Sequence, residues 1–330
     1  MPTLTALDLF AGAGGLGLGL SAAGFDVITS VEWNRDAAQT LRRSAPSGEV
    51  IEADVRDLSF HRFAGVDVVA GGPPCQPFST GGKQRSTSDE RDMIPEFIRA
   101  VAEVRPRAFV MENVPGLMAP RCEAYLGRVL RHFVDLGYLT TVGLLDAADF
   151  GVPQSRRRLL LTGLRGRLAP ATPEPTHGVG GMPRRTAGDV LRSDVGFGEP
   201  NRSIVTYARN PDLRPNPYHG HLFNGGGRPI DLSKPAPTIL ASAGGNKTHF
   251  VDTLGAVPAY HAELSAGGRP RSGLFEGGRR LSIEESAALQ TFPASTRLAG
   301  SRSSQYTQVG NAVPPVLAEA VARAVLRTLA

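Results

Sequence analysis

Short apolar runs alternate with helical patterns through the first third of this 330-residue chain, and that alternation restricts the fold more than any other feature. Leu4-Thr5-Ala6-Leu7-Asp8-Leu9-Phe10 reads as a buried strand, followed by a Gly-rich turn and a helix through Leu20. Val27 to Val31 reads as a second strand, Asp36 to Arg43 as a second helix, Val66 to Ala70 as a third strand and Ala108 to Glu112 as a fourth. Ile94 to Val104, between the last two, has helical spacing. Strands that are apolar on both faces, alternating with helices, predict an α/β fold with a doubly wound, mostly parallel sheet.

The character changes near Pro170. Pro170 to Pro183 is rich in Pro, Gly and Thr and reads as a linker. From Arg184 to Arg280 periodicity fades and glycine pairs punctuate short extended segments. This stretch reads as a smaller, irregular, β-rich domain. It carries 13 Lys/Arg against 8 Asp/Glu, an excess equal to the +5 of the whole chain. Such a distribution suits a polyanion, and equally an ordinary solvated face. Ser282 to Gln290 is again helical, with Ser282 as N-cap and Glu285 completing a capping box. Pro315 to Leu329 is amphipathic and is expected to return to the first domain. The expected division is therefore 1–183, completed by 294–330, with 184–293 as the second domain including the hinge helix. No run of about 18 apolar residues suggests a membrane span. Met1 to Ala6 does not open a secretory signal. Two cysteines, Cys75 and Cys122, make no disulfide framework, so a cytoplasmic, reducing location is expected.

Gly12, Gly14 and Gly17 match G-x-G-x-x-G between a strand and a helix, and Glu32 follows Gly12 by 20 residues. A nicotinamide-dependent oxidoreductase is one reading of that fingerprint. Two features favour an adenosine ligand without a pyrophosphate: the extra consecutive glycine, Gly15, and Trp33, whose ring suits stacking on adenine. Asp54, before Val55, could accept a hydrogen bond from an adenine amino group; its plainer role is a strand-end turn. Gly71-Gly72-Pro73-Pro74-Cys75-Gln76-Pro77-Phe78-Ser79 follows the third strand, where ligands bind in open parallel sheets. Glycines allow the sharp turn and prolines stiffen it. A lone cysteine is most often a small core hydrophobe. Cys75, flanked by prolines in a loop, reads instead as a nucleophile, whereas Cys122 reads as structural.

Pro73-Pro74-Cys75-Gln76 together with Glu112-Asn113-Val114 resembles the DNA cytosine-5 methyltransferase family, bacterial restriction–modification type. Gln154-Ser155-Arg156-Arg157-Arg158 is similar to that family's Q-x-R-x-R. Arg279-Arg280-Leu281-Ser282 through Gln290-Thr291-Phe292-Pro293 and Gly310-Asn311-Ala312-Val313-Pro314-Pro315 resemble its last blocks. The blocks stand in the family's order from Asp8 to Pro315. The resemblance implies a Rossmann-like catalytic domain and a smaller target-recognition domain. It implies S-adenosylmethionine as methyl donor, leaving S-adenosylhomocysteine, held by Phe10, Gly12, Gly14, Gly15, Leu16, Glu32, Trp33, Asp54, Val55, Pro74, Asn311 and Val313.

The chemistry explains why those residue types are needed. Carbon 5 of cytosine is a poor nucleophile, and a thiolate adding at carbon 6 makes it enamine-like. Cys75 supplies the thiolate, and the resemblance sets Arg156 and Arg158 opposite it as the positive charges that favour ionisation. Density pushed onto the ring is met by a protonated Glu112 at N3, which needs a raised pKa, and by Arg158 at O2. The plainer reading makes Glu112 and Arg158 a surface ion pair. No step needs a metal. The target must be flipped from double-stranded DNA at a cost of a few kcal/mol. Gln76, Ser79, Lys83, Arg85 and Arg91, in and beside the loop 80–92, are candidate DNA contacts. In the second domain so are Arg209, Lys234 and Thr238. An RNA cytosine-5 methyltransferase and an inactive binding protein of the same fold also stay open as readings of these residues. A stand-alone bacterial monomer is expected, paired functionally with a cognate restriction endonuclease but in no stable complex with it, and with no membrane association.

Overall fold

The computed structural model describes residues 3–44, 48–74, 92–166, 168–192 and 196–329. Its main sheet is built from β1 (Thr5–Leu9), β2 (Asp26–Glu32), β3 (Glu49–Glu52), β4 (Val68–Gly71), β5 (Ala108–Asn113), β6 (Tyr138–Asp146) and β7 (Arg157–Arg165). These seven strands lie in the order β3-β2-β1-β4-β5-β7-β6. The pairs β3-β2-β1-β4-β5 are parallel, and β7 runs antiparallel to both β5 and β6. The sheet is thus mostly parallel, as expected. The strand order reverses direction between β1 and β4, which opens a crevice at their carboxyl ends.

Alternate side chains of each strand serve two separate cores. Leu7, Leu9, Val69, Phe109, Met111, Leu159 and Leu161 point to one face, packed by α3 (Ile94–Val104) and α4 (Glu123–Asp135). Ala6, Val27, Val68, Ala70, Ala108, Val110 and Leu160 point to the other, beneath α1 (Gly15–Ala23) and α8 (Pro315–Leu329). Burial on both faces is what makes these strands continuously apolar in sequence. α2 (Arg35–Ser44) packs beside β2 and β3. The expected return of the C-terminal helix is therefore observed. α1 and α8 meet so closely that a Cβ on Gly19 would lie 2.3 Å from the Ala318 Cβ. Arg302–Leu329 is apolar enough overall to pass for a membrane-crossing segment. It is in fact two helices, α7 (Arg302–Asn311) and α8, interrupted at Ala312–Pro314, and α8 spends its apolar face on α1.

Beyond residue 183 the strands are short. β8 (Tyr207–Asp212) pairs with β9 (His221–Phe223), and β10 (Pro229–Ile230), β11 (Phe250–Asp252) and β12 (Gly278–Arg280) form a three-stranded sheet. α5 (Val257–Ser265) lies between the last two, a helix that the fading periodicity did not suggest. Tyr207, Phe223, Phe250, Tyr260 and Phe275 form an aromatic cluster that supplies a core where strands are too short to do so. α6 (Ile283–Leu289) starts at Ser282 with the capping box to Glu285 in place.

Arg280 ties this region together. Its guanidinium donates to the carbonyls of Ile204, Thr248 and Asn224 and to the Asn224 side chain, and lies over the Phe250 ring. Burial lowers its pKa to about 10, still fully charged at neutrality. Arg280→Ala is expected to cost about 3 kcal/mol or more, because several oxygens in the interior lose a charged donor at once. Denaturant unfolding of the variant measures this, and a loss under about 0.5 kcal/mol, the usual range for an incidental surface side chain, would contradict it.

Candidate active site

The crevice is lined first by the turn after β1. Phe10, Gly12 and Gly14 all take positive φ (55°, 57° and 85°), and Gly14 caps α1. Only glycine adopts such a backbone readily, so two of the three loop glycines are required by the turn itself. Gly15 is required by packing: a Cβ there would lie 2.1 Å from the Val313 carbonyl oxygen. That contact joins the Gly-rich loop to the C-terminal block, bringing Gly15, Leu16 and Val313 together. It also sets an electron-rich oxygen beside the N-terminus of α1, an unfavourable neighbour for a pyrophosphate.

Glu32 ends β2, and its carboxylate accepts from the Gly12 amide (2.7 Å) and the Asn34 amide (2.7 Å). Burial raises its pKa, and those amides oppose the rise. Next to it Trp33 is 70% exposed, although it is the chain's single tryptophan. A large aromatic ring left in solvent beside a buried carboxylate is well suited to stack on a planar ligand. Val55 is buried in the core, whereas Asp54 caps the turn 55–57 and holds Arg56 in a bidentate pair that lowers its pKa. Asn311 is exposed at the end of α7.

Asp8 was not singled out by its sequence context. It shares parity with Ala6 and so faces α1, where it is fully buried and neither carboxylate oxygen receives a hydrogen bond of good geometry from the described residues. A Cβ on Gly17 would lie 2.8 Å from its Oδ2. Burial lifts its pKa to about 8; the nearby Gly17 amide moderates the rise and the Glu32 charge adds to it. The available signal was a lone acid inside an apolar strand. An orphaned buried carboxyl, a glycine cradle, a ribose-height acid and an exposed indole together fit a cationic adenosine ligand.

The second wall is built on β5. Glu112 and Arg158 form an ion pair (Nε to Oε1, 2.6 Å) whose side chains are only 11% and 13% exposed, so it is not a surface pair. Burial raises the Glu112 pKa, while Arg158 and Arg156 hold the rise back. Gly72 approaches so closely that a Cβ would sit 3.0 Å from Glu112 Oε2. The Asn113 amide donates to the Pro73 carbonyl (3.1 Å), and the Met93 amide to that of Pro74 (3.0 Å). The chain entering the cysteine loop is thus fastened to the end of β5 beside the glutamate. Cys75, Gln76, Ser79, Lys83, Arg85 and Arg91 lie outside the described residues.

Arg156 is placed differently from Arg158. It is fully buried, and its terminal nitrogens donate to the carbonyls of Ile239 (2.9 Å) and Gly310 (2.6 Å) rather than to Glu112. Burial and the neighbouring Arg158 push its pKa well down, and Glu112 opposes them. Thr238, next to Ile239, donates its hydroxyl to the Ser155 carbonyl (2.8 Å) and so lies beside the arginine block. His249, neutral with its pKa lowered to about 4 by burial, has its Nε2 3.2 Å from the Thr238 carbonyl. Arg209 and Lys234 are exposed, the latter paired with Asp231.

A doubly wound sheet with a glycine-rich turn at its switch point, and a buried Glu–Arg pair beside the fastened Pro73-Pro74 segment, fit an enzyme that transfers a group from an adenosine-bearing cofactor. A model of the C-5 cytosine-specific DNA methylase family matches residues 4–187 and 242–327. The chain is 35% identical over 332 residues to the type II methyltransferase M.NgoMIV of Neisseria gonorrhoeae, covering 98% of each. It is also 35% identical over 336 residues to the type II methyltransferase M.NaeI of Lentzea aerocolonigenes, covering all of this chain and 76% of that one. The S. pombe Dnmt2 methyltransferase shares the fold, with TM-score 0.71 over 99% of both chains at 16% identity. The chain belongs to the C-5 cytosine-specific DNA methylase family. It is a DNA cytosine-5 methyltransferase that uses S-adenosylmethionine.

Proposed function

We propose that the enzyme methylates one cytosine within a short duplex site, as the modification half of a restriction–modification system. Its similarity to named type II methyltransferases over nearly the whole of this chain supports that role. A cognate endonuclease acts on the same site without a stable complex, and the enzyme works as a cytoplasmic monomer. The observation that carries the catalytic reading is the buried Glu112–Arg158 pair beside the fastened entrance to the cysteine loop.

Cys75 adds as thiolate to carbon 6 of a flipped cytosine, and the ring's electron pair moves toward N3 and O2. Glu112, whose pKa is raised by burial, holds the proton for N3. Arg158 keeps Glu112 oriented through their pair and donates to O2. Bound S-adenosylmethionine would supply the electrophilic methyl carbon for carbon 5; departure of the carbon 5 proton to solvent then expels the Cys75 thiolate from carbon 6 and restores the aromatic ring. Gly12, Gly14, Gly15 and Leu16 would shape its cradle, Glu32 would accept from its ribose hydroxyls and Trp33 would stack on its adenine. Phe10, Asp54, Val55, Pro74, Asn311 and Val313 would complete that site, with Asp8 buried against Gly17 of the loop's helix. The residues 184–293 read the DNA, with Thr238 against the backbone beside the active site, Arg209 and Lys234 further out, and Gln76, Ser79, Lys83, Arg85 and Arg91 contributed by the cysteine loop.

Labelled S-adenosylmethionine and mixed-sequence duplex DNA, followed by base-resolution mapping of 5-methylcytosine, test this directly. Label at one short recurring motif is the expected result. Label in RNA alone would replace the substrate, and no label in either would end the proposal. Trp33→Ala is expected to weaken S-adenosylhomocysteine binding by about 5- to 100-fold, the worth of one stacked base. Unchanged affinity by calorimetry would remove Trp33 from the cofactor site.

A further inference from the structure

Three segments far apart in sequence converge on one side chain. The stretch 236–239 runs parallel to 153–155, with the Ala236 amide donating to Pro153 and the Ser155 amide to Ala236 (both 2.9 Å). Gln154 accepts from the Ile239 amide (2.9 Å) and Gln290 donates to the Val309 carbonyl (2.7 Å). At the centre, the Arg156 guanidinium bridges the Ile239 carbonyl and the Gly310 carbonyl, 83 and 154 residues away. Its Nε is buried without a partner among the described residues, so the two terminal bonds carry the compensation for its desolvation. The junction is tight: a Cβ on Gly310 would lie 2.3 Å from the Leu240 carbonyl oxygen.

On one side of this bridge stands Thr238, a proposed DNA contact. On the other, Gly310 leads through Asn311 to Val313, whose carbonyl packs against Gly15 of the cofactor loop. We propose that Arg156 is a positioning residue that couples the two ligands: by fixing 236–241 to the end of α7, it makes DNA contact at Thr238 and closure of the cofactor cradle parts of one arrangement. This rests on the proposed function above. A buried, two-pronged, charged donor fits the task, because shifting either segment strands a charge-assisted hydrogen bond in the interior. Coupling between sites is reciprocal, so it is measurable from either ligand.

The experiment is calorimetric titration of S-adenosylhomocysteine with and without a duplex oligonucleotide carrying the mapped motif. For the wild type, DNA should tighten cofactor binding by at least about fivefold, within the usual range of coupling. Arg156→Lys keeps the charge but loses the fork, and Gly310→Ala pushes the two segments apart without touching the arginine. Each should reduce the coupling to below about twofold, a free energy under about 0.5 kcal/mol, while both ligands still bind singly. Wild-type coupling retained in both folded variants overturns the proposal, as does a wild type in which DNA leaves cofactor affinity unchanged. Should neither variant fold, hydrogen exchange on the wild type decides: DNA alone should slow amide exchange across 308–313, and unaltered exchange there overturns it. Failure of either ligand to bind wild type at all would instead bring down the functional reading itself.

Discussion

Replacing Cys75 by serine should lower methyl transfer by on the order of 10⁴-fold or more while leaving DNA and S-adenosylhomocysteine affinities near wild type. The oxygen of serine stays protonated at neutral pH, and Glu112, which must hold a proton of its own, cannot take that one, whereas a thiol ionises readily near positive charge. Arg158, the nearer candidate for that positive charge, keeps its pair with Glu112 and is untouched by the substitution. Single-turnover assays with labelled cofactor measure the loss, and parallel calorimetry separates chemistry from binding. Turnover within about tenfold of wild type would sink covalent catalysis by Cys75, because nucleophile removals elsewhere cost far more.

Glu112→Gln should lower kcat by about 10²- to 10⁴-fold, the usual worth of a positioned general acid. The amide keeps the shape and donates an N–H, but cannot hand a proton to N3. It also dissolves the 2.6 Å ion pair with Arg158. The pH profile makes the assignment sharper. Because burial raises the carboxyl's pKa, Glu112 keeps its proton to higher pH than an ordinary glutamate, and wild-type activity should fall as pH rises through that elevated value. At the acid end, protonation of the thiol lowers the rate instead. The glutamine variant should lose the alkaline fall and retain the acid one. An alkaline limb that survives unchanged would assign the titration to another group.

Much of the fold was legible because both sheet faces are covered: β4 and β5 hold three or more consecutive apolar residues, β1 and β2 hold adjacent apolar pairs, and such runs close to glycine turns are hard to misread. β3 escaped because its four residues, Glu49 to Glu52, hold only two apolar side chains. α7 escaped for a similar reason, since its sequence is mostly polar and only Tyr306 and Val309 reach a hydrophobic core. α5 lies among glycine-rich loops and anchors through Val257, Tyr260 and Leu264, a spacing too short to stand out. In the site, the Glu–Asn pair and the arginine block were legible as local strings. Which arginine faces the glutamate was not, because Arg156 is turned away by carbonyls that no local pattern announces. Asp8 stayed hidden because a single acid in a strand looks like a solvent-facing break in the pattern, and only the strand's parity and the covering helix α1 make it interior.

The union of α1 with α8 has a consequence for how the activity comes into being. α1 buries its apolar face against α8, so a chain halted before residue 313 leaves the α8-facing sides of Leu16 and Leu20 uncovered and lacks Val313 against Gly15. Unfinished or C-terminally clipped copies should therefore be inert toward the genome rather than partly active. Protection of DNA would then begin only once α8 has docked on α1, in a sharp step rather than a gradual rise.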